Sequence, residues 1–116
     1  MNRLEKLKIW IESMKLVEEI YKNLDVFPDS EKFGIISQIK RSAISIPSNI
    51  AEGSGRNGKG EFKHFLSIAN GSAFELQTQI EISKRLKFVK ESRANELLDL
   101  IDKIQKMNFN LQKSIN

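Results

Sequence analysis

Apolar residues recur every three or four positions along most of the chain, and this spacing limits the fold more than any other feature of the sequence. A stripe with that period covers one face of an α-helix, whereas a β-strand would alternate apolar and polar residues. The first stripe, from Leu4 to Leu24, consists of Leu7, Trp10, Met14, Val17, Tyr21 and Leu24, widened by Ile9, Leu16 and Ile20. The first segment is therefore predicted to form an amphipathic helix that packs against other helices.

Three further segments carry the same period. Their predicted bounds are Glu31 or Lys32 to the glycine-rich stretch that begins at Gly53, Lys59 or Glu61 to Phe88, and about Ser92 to Lys113. The inner faces are predicted at Phe33, Ile36, Ile39, Ala43, Ile46 and Ile50; at Phe62, Phe65, Leu66, Ala69, Ala73, Leu76, Ile80 and Ser83; and at Leu97, Leu98, Ile101, Ile104, Met107, Leu111 and Ile115. Helices of roughly 20 to 30 residues span about 30 to 45 Å, which suits a bundle with short loops. The sequence thus predicts an all-α, antiparallel up-down-up-down four-helix bundle, with residues 1–116 forming a single domain.

Pro47 lies in the middle of the second segment. Inside a helix, proline removes one backbone hydrogen bond and crowds the carbonyl of the residue four positions earlier, here Ala43, at a cost of about 3 kcal/mol. Because Ile50 continues the apolar period beyond it, one helix kinked at Pro47 is predicted. A break at residues 45–48 is the alternative.

Bulk composition excludes several classes of protein. The 116 residues include no cysteine, which rules out disulfides and thiolate metal sites. The start of the chain carries Glu5 and Glu12 among its apolar residues, unlike a signal peptide, and no apolar run is long enough to cross a membrane. A soluble, cytoplasmic protein without membrane association is expected.

The formal net charge is +4, and its distribution is uneven. Residues 1–31 contain five basic and seven acidic residues, and residues 91–116 contain four of each. Residues 32–60 contain five against one and residues 61–90 five against three, so a surplus of +4 and +2 lies in the middle of the chain. Such a region attracts phosphate-rich partners by long-range electrostatics, although an ordinary solvated surface also explains the bias.

The stretch GSGRNGKG, residues 53–60, nearly matches a phosphate-binding P-loop. It fits G-x-x-x-x-G-K, and Gly53, Gly55 and Gly58 also spell G-x-G-x-x-G. A P-loop needs a preceding strand, a following helix, and a Ser or Thr directly after the lysine to hold Mg²⁺. Here the preceding segment has a helical pattern and Gly60 follows Lys59, so the stretch is predicted to be a corner between two helices.

The sequence contains no familiar catalytic or metal-binding pattern. His64 is the only histidine, and there is no cysteine or second histidine with which it could bind a metal. The serines lack the nucleophile elbow of hydrolases, and the glutamates lack the paired E-x-x-H pattern of di-iron bundles. The prediction is a non-enzymatic protein with no catalytic residue, cofactor or metal.

The segment RSAISIPSNIAEGSGR, residues 41–56, closely resembles the signature of small four-helix-bundle proteins encoded by intervening sequences inserted in bacterial 23S rRNA genes. The likeness extends to EFKHFLSIANGSAFELQTQ, residues 61–79, and to LKIWIESMKLVEEIY near the start. It covers most of the chain, and the fourth helix is its least distinctive part. By this resemblance the chain is identified as a member of that family.

The resemblance implies a homopentamer of bundles around a central axis, with Pro47 as a kink inside the second helix. It also implies similarity to the accessory protein of diversity-generating retroelements, a pentameric barrel that binds nucleic acid and a reverse transcriptase. No enzymatic activity is implied. Five copies would multiply the formal charge to 5 × (+4) = +20.

We therefore expect an oligomeric protein that binds RNA or DNA electrostatically through a basic surface. The surface is predicted to comprise Lys40, Arg41, Arg56, Lys59 and Lys63, with Lys84, Arg85 and Lys87 as further candidates. Most of the nine aromatic residues lie at core spacing, so no stacking platform is evident. Binding should be sensitive to salt and show little sequence specificity.

A polar set shares the second half of the second helix with Pro47. Its members are Ser45, Ser48, Asn49 and Glu52. Facing inward, these side chains would hydrogen-bond backbone freed by Pro47 or pair across subunits, because buried polar groups need partners. We favour this structural or interface role over the alternative that Asn49 and Glu52 are solvated.

Two other functions stay open as alternatives. A protein-interaction or assembly module would use the positive region to dock an acidic protein partner and would bind no nucleic acid. A nucleotide-hydrolysing enzyme would show Mg²⁺-dependent ATP binding that disappears in Lys59→Ala.

Overall fold

The computed structural model describes residues 4–115. It contains four α-helices: α1 (Lys8–Lys22), α2 (Ile35–Ser54), α3 (Lys59–Arg85) and α4 (Glu91–Ser114). Single 3-10 turns lie at Leu4–Lys6, Leu24–Val26 and Asp29–Glu31, and the described residues contain no strand. The predicted all-α, four-helix fold is confirmed, and α4 agrees with its predicted bounds to within one residue at each end.

Side-chain contacts show that neighbouring helices run antiparallel. Between α2 and α3, Ser42 bonds Glu75 and Ser45 bonds Ser72, so residue numbers rise along one helix as they fall along the other. The same reversal holds between α3 and α4 and between α1 and α4. Each helix packs on the next and α1 packs on α4, which closes a bundle of 44 × 23 × 22 Å.

The core runs along the axis between the four helices. Its largest fully buried apolar side chains are Leu16, Ile20, Ile39, Ile46, Ile50, Leu66, Leu76, Ile80 and Ile101. Burial of each such side chain stabilises the fold by roughly 1.5 to 3 kcal/mol. On α2 and α3 the buried Ala43, Ala69 and Ala73 allow the two backbones to approach closely.

The helix α2 runs unbroken through Pro47, which confirms one helix instead of a break at residues 45–48. The bend at Pro47 stays a prediction. The helix begins at Ile35 because Gly34 before it has the non-helical angles φ −104° and ψ −116°. Phe33 therefore lies outside the helix with 90% of its surface exposed, and its predicted place on the inner face is wrong.

The buried face of α1 differs from the predicted stripe. The residues that face the core are Ile9, Ser13, Leu16 and Ile20. Met14 and Tyr21 are exposed, so the prediction that they belong to the inner face is wrong. The hydroxyl of Ser13 donates to the carbonyl of Trp10 over 2.8 Å, which satisfies this polar residue inside the core. Apolar residues consequently cover two adjacent faces of α1, and only one of them is buried.

The helix α3 ends at Arg85, three residues before its predicted end at Phe88. Lys87 adopts a left-handed conformation with φ 62°. The N–H of Phe88 donates to the carbonyl of Ser83 over 2.9 Å, and that of Lys87 donates to the carbonyl of Lys84 over 3.1 Å. This is the Schellman arrangement, which usually carries glycine at the left-handed position. Because lysine occupies it, the sequence gives no signal for this helix end.

The outward faces of the bundle are rich in charged residues. Ion pairs one helical turn apart join Lys15 to Glu12 on α1 and Lys106 to Asp102 on α4. Within residues 4–115, no helix combines the length and the apolar character needed to cross a bilayer.

Candidate nucleic-acid and assembly surfaces

The glycine-rich stretch forms a short turn between two helices. Gly53 and Ser54 still belong to α2, and α3 begins at Lys59. Gly58 has φ 117°, a conformation that side chains disfavour. Since a helix precedes the turn and Gly60 follows the lysine, the strand and the Mg²⁺-binding hydroxyl of a P-loop are both missing from this segment. The prediction of a corner is confirmed for residues 55–58, while the first two and the last two residues of the stretch are helical.

Arg56 is held by contacts within the chain. Its Nε donates to Oε2 of Glu52 over 2.9 Å, and its guanidinium carbon lies 5.1 Å from the ring centre of Phe65. The carboxylate cancels the charge of Arg56 locally, so this residue adds less to a basic surface than the sequence predicted.

Lys59 and Lys63 are exposed on the first turns of α3. No carboxylate of residues 4–115 forms an ion pair with either lysine. Lys63 also lines a shallow groove of about 430 Å³ together with Phe109 and Lys113 of α4. Unpaired positive charge therefore lies at the end of the bundle where α2 turns into α3.

Lys40 and Arg41 lie in the first half of α2, far from that turn. Fifteen residues separate Arg41 from Arg56, which corresponds to about 22 Å along a helix. The ammonium group of Lys40 lies 5.3 Å from the ring centre of Tyr21 on α1. The structure thus distributes the five predicted basic residues along the length of the bundle and does not gather them into one site.

The polar set on α2 divides between two faces. The hydroxyls of Ser45 and Ser72 lie 2.8 Å apart, and Nδ2 of Asn49 donates to both the hydroxyl and the carbonyl of Ser45 over 2.9 Å. Glu52 is exposed with Arg56, as the solvated alternative proposed. The backbone group that Asn49 contacts is the carbonyl of Ser45, and not the carbonyl of Ala43 that Pro47 leaves without its helical partner.

Two further members of this polar contact were not predicted from the sequence. The hydroxyl of Ser42 donates to Oε1 of Glu75 over 2.8 Å, one helical turn from the Ser45–Ser72 contact. Ser42 and Ser45 share a face of α2, and Ser72 and Glu75 share a face of α3. The only sequence signal for these two contacts is that the polar residues are three positions apart on both helices. Together the two contacts fix the register of α2 against α3.

An apolar groove of about 380 Å³ lies on the outer side of α1 and α2, and we call it the α1–α2 groove. Its lining includes Trp10, Met14, Val17, Ile44, Pro47 and Ser48. Ile44 is 45% exposed and Met14 is 40% exposed, although both side chains are apolar. Pro47 and Ser48 thus face this groove, and Ser45 and Asn49 face α3. Sequence reasoning missed the groove because the stripe on α1 was assigned to the core.

A second groove, of about 400 Å³, lies between the outer sides of α3 and α4, and we call it the α3–α4 groove. It contains Phe74 and Phe109, which are 52% and 65% exposed. Its other lining residues are polar or charged: Asn70, Asp102, Gln105, Lys106 and Asn110. Because α1 packs on α2 and α4, and α3 packs on α2 and α4, the two grooves lie on opposite sides of the bundle.

His64, the residue considered from the sequence as a candidate for catalysis or metal binding, is not part of a catalytic group of side chains in the described residues. His64 is exposed on α3, with its ring edge-on to Phe65 at 5.3 Å between ring centres. Among residues 4–115, no three histidine or acidic side chains form a cluster that could hold a metal ion.

These features define a small antiparallel helical bundle with dispersed basic residues, an exposed apolar groove between α1 and α2, and a mixed groove between α3 and α4. The chain belongs to the 23S rRNA-intervening sequence protein family, whose model matches residues 5–110. A crystal structure of a protein of unknown function from the S23 ribosomal protein family, from Bacteroides thetaiotaomicron VPI-5482, is similar with a TM-score of 0.84. The two sequences are 22% identical, and the alignment covers 91% of this chain and 99% of that chain, which shows a shared fold. No match was found among curated proteins.

Proposed function

We propose that the protein is a non-enzymatic, self-assembling helical bundle that binds RNA or DNA by charge. The observation that carries this proposal is the unpaired positive charge of the segment from Lys32 to Lys90, which comprises α2, α3 and the residues on either side of them. Ten basic residues lie between Lys32 and Lys90 against four carboxylates, and of the ten only Arg56 forms an ion pair within residues 4–115. In the other described segments, five of eight basic residues are paired.

The distribution of these residues fits a long polyanion better than a small anion. Lys40 and Arg41 lie toward one end of the bundle, and Lys59 and Lys63 lie at the other end. A nucleic-acid backbone presents phosphates at regular intervals over such a length, and each lysine or arginine that meets a phosphate releases counterions. The proposed contacts read no base, so this surface would bind many sequences with similar affinity.

The exposed apolar side chains of the α1–α2 groove, and Phe74 and Phe109 of the α3–α4 groove, support self-assembly. Monomeric proteins seldom leave large apolar side chains grouped at the surface, and such groups commonly mark an interface. If the α1–α2 groove of one copy receives the α3–α4 face of the next, each contact joins two different surfaces. A contact of that kind closes into a ring when the rotation between copies fits a whole number of subunits.

A ring would strengthen nucleic-acid binding without any new residue. Five copies, the number implied by the family resemblance, would carry a formal charge of +20. Each subunit would bring its own unpaired lysines to the same strand, and a second contact by a tethered site forms at a high effective concentration. The proposed assembly and the proposed binding therefore support each other.

A second candidate function is assembly without nucleic-acid binding. The exposed Met14 and Ile44 in the α1–α2 groove favour it, since they require an apolar partner and not an anionic one. In that case the basic residues would bind an acidic protein partner. We propose that the protein is cytoplasmic, so this partner would be cytoplasmic too.

The experiment that tests both candidates is light scattering of the protein with and without a short structured RNA, at low and at moderate salt. The proposal expects an oligomer that gains RNA mass at low salt and loses it as salt rises. Lys59→Gln/Lys63→Gln should weaken RNA binding more than the matched control Lys103→Gln/Lys106→Gln, which removes the same charge from paired lysines. A stable oligomer that ignores RNA in dilute salt supports the second candidate, and a monomer indifferent to RNA overturns both.

A further inference from the structure

A groove larger than the other three described above lies at the end of the bundle where α3 turns into α4, and we call it the end groove. It has a volume of about 740 Å³ and is lined by Lys84, Lys87, Lys90 and Arg93, with Val26 and Phe88 among its apolar residues. A space of this size is within the range of ordinary ligand sites. The end groove lies at the opposite end of the bundle from Lys59 and Lys63.

Lys87 occupies a backbone position that disfavours it. Its φ of 62° places it in the left-handed region, where the Cβ atom of an ordinary side chain is crowded and glycine is preferred. A lysine retained there costs stability that glycine would not cost. Residues held in such conformations are concentrated at functional sites, which makes the side chain of Lys87 a candidate for binding.

Lys90 is a second basic residue at a position that disfavours it. It is the N-cap of α4, and its side chain makes no capping hydrogen bond. Serine, threonine, aspartate or asparagine at this place would accept a hydrogen bond from the first turn of the helix. The positive end of the helix dipole also repels a cation. Lys87 and Lys90 therefore both add positive charge beside the start of α4. Lys87 does so where the backbone favours glycine, and Lys90 where the helix favours a capping side chain.

The charge of the end groove is only partly compensated. Lys84 donates to Oδ1 of Asn95 over 2.8 Å, a neutral acceptor that positions the ammonium group without cancelling its charge. Within residues 4–115, no carboxylate pairs with Lys84, Lys87 or Lys90, although Glu91 contributes one negative charge to the lining.

Arg93 is held in place by contacts within the chain, and its ion pair with Glu96 cancels part of its charge. Its Nε donates to Oδ1 of the buried Asn23 over 3.0 Å, and its Nη1 donates to Glu96 over 2.6 Å. Asn23 is itself fixed, because its Nδ2 donates to the carbonyl of Glu19 over 2.7 Å. The guanidinium plane thus has a defined orientation at the wall of the groove.

We propose that the end groove binds one nucleotide of a single-stranded nucleic acid. The phosphate lies among Lys84, Lys87 and Lys90 beside the first N–H groups of α4, and the base covers the apolar surface of Val26 and Phe88. This inference rests on the proposed nucleic-acid binding and names a specific site for it. A base inside a duplex is stacked on its neighbours and cannot reach an apolar wall in this way, so single strands are the preferred ligand.

The test uses a variant that removes charge while improving the fold. Lys87→Gly gives the left-handed position its preferred residue, and Lys90→Ser gives α4 a capping hydroxyl. The double variant should therefore melt at least about 4 °C higher than the natural protein. Its affinity for a fluorescent single-stranded RNA, measured by anisotropy at low salt, should fall by roughly tenfold, because two phosphate contacts are lost. The matched control is Lys15→Gln/Lys106→Gln, which removes two paired lysines from α1 and α4.

The outcomes separate this inference from the proposed function. If the natural protein binds RNA and the double variant binds it equally well, the end groove is not the site, while binding through α2 and α3 stands. If the natural protein binds no RNA, both proposals are wrong. An NMR titration with uridine 5′-monophosphate should shift the amide signals of residues 84–93 more than inorganic phosphate does. Equal shifts with both ligands would overturn the assignment of a base-binding wall.

Discussion

The backbone of Gly53 on α2 lies directly against the side chain of Phe65 on α3. A Cβ atom at position 53 would come within 2.7 Å of the Cβ of Phe65 and within 3.2 Å of Cδ1 of Phe62. Carbon atoms in favourable contact are about 3.5 to 4.0 Å apart. The glycine at position 53 therefore sets how closely α2 and α3 approach next to the turn that joins them.

Gly53→Ala should destabilise the protein. The added methyl group meets the Cβ of Phe65, which cannot move without its backbone, so we expect the free energy of unfolding in urea to fall by about 1 to 3 kcal/mol. Gly71→Ala is the matched control in the middle of α3, where a Cβ would meet no atom within 4 Å. There alanine should raise the free energy of unfolding by about 0.5 to 1 kcal/mol, because it favours helix. Equal effects of the two substitutions would contradict this account of Gly53.

The hydroxyl contact between Ser45 and Ser72 should appear as an energetic coupling. In a double-mutant cycle with Ser45→Ala and Ser72→Ala, followed by urea unfolding, we expect a coupling of about 0.5 to 1.5 kcal/mol, typical of a hydrogen bond that is shielded from water. Thr78→Ala serves as the control on α3, since the hydroxyl of Thr78 bonds only the carbonyl of Phe74 on its own helix. In the control cycle, the effects of Ser45→Ala and Thr78→Ala on the free energy of unfolding should add. If the effects of Ser45→Ala and Ser72→Ala also add, the contact between the two hydroxyls does not help to set the register of α2 against α3.

The pH dependence of stability should include a contribution from Glu12. Burial raises the pKa of the Glu12 carboxyl, but hydrogen bonds and charges from Lys103 and Lys15 outweigh it, and the pKa lies below its ordinary value. Since the pKa is lower in the folded protein, the ionised carboxylate stabilises the fold above the unfolded pKa. That contribution is lost as the pH falls through the folded pKa.

We therefore expect Glu12→Gln to lower the free energy of unfolding by up to about 1 kcal/mol at neutral pH. The difference from the natural protein should disappear on acidification below the ordinary glutamate pKa of roughly 4.3. Glu18→Gln, at an exposed site on the same helix, is the control for the loss of one negative charge from α1. If the difference in free energy of unfolding between the natural protein and Glu12→Gln persists in acid, the effect comes from packing and not from the charge of Glu12.

The sequence was sufficient to predict the helices because their apolar period is long and regular. It failed at helix ends that depend on local backbone angles. The non-helical Gly34 delays the start of α2 to Ile35, three or four residues later than the period indicated, and Lys87 ends α3 in a conformation that usually requires glycine. Neither the start of α2 nor the end of α3 changes the apolar period, so the period could not predict either of them.

The surfaces were harder to predict because a helical period does not state which face has a partner. Both sides of α1 carry apolar residues, and only its packing against α2 and α4 shows that Leu16 faces the core while Met14 does not. Similarly, the charges of Lys40 and Lys59 were grouped by their distance in sequence. The structure separates them along α2 and α3, since a helix converts sequence distance into length.

A mixing experiment should reveal how copies of the chain associate. If the α1–α2 groove meets the α3–α4 groove of the next copy, Ile44→Gln and Phe74→Gln each remove one side of every contact. Each variant alone should then be a monomer by light scattering. Mixed in equal amounts, they should form a one-to-one dimer and no larger species, because the intact Phe74 face of one still fits the intact Ile44 face of the other.

The mixture distinguishes this arrangement from a symmetric one. In a contact of like with like, a mutation at Ile44 spoils both halves of its interface, and no mixture with Phe74→Gln would restore a dimer through unlike faces. Ile82→Gln is the matched control, since Ile82 is exposed to nearly the same extent as Ile44, 42% against 45%, and lines neither groove. It should assemble like the natural protein. Monomers from Ile82→Gln would place the interface elsewhere on α3, and oligomers from both groove variants would exclude the two grooves as the contact.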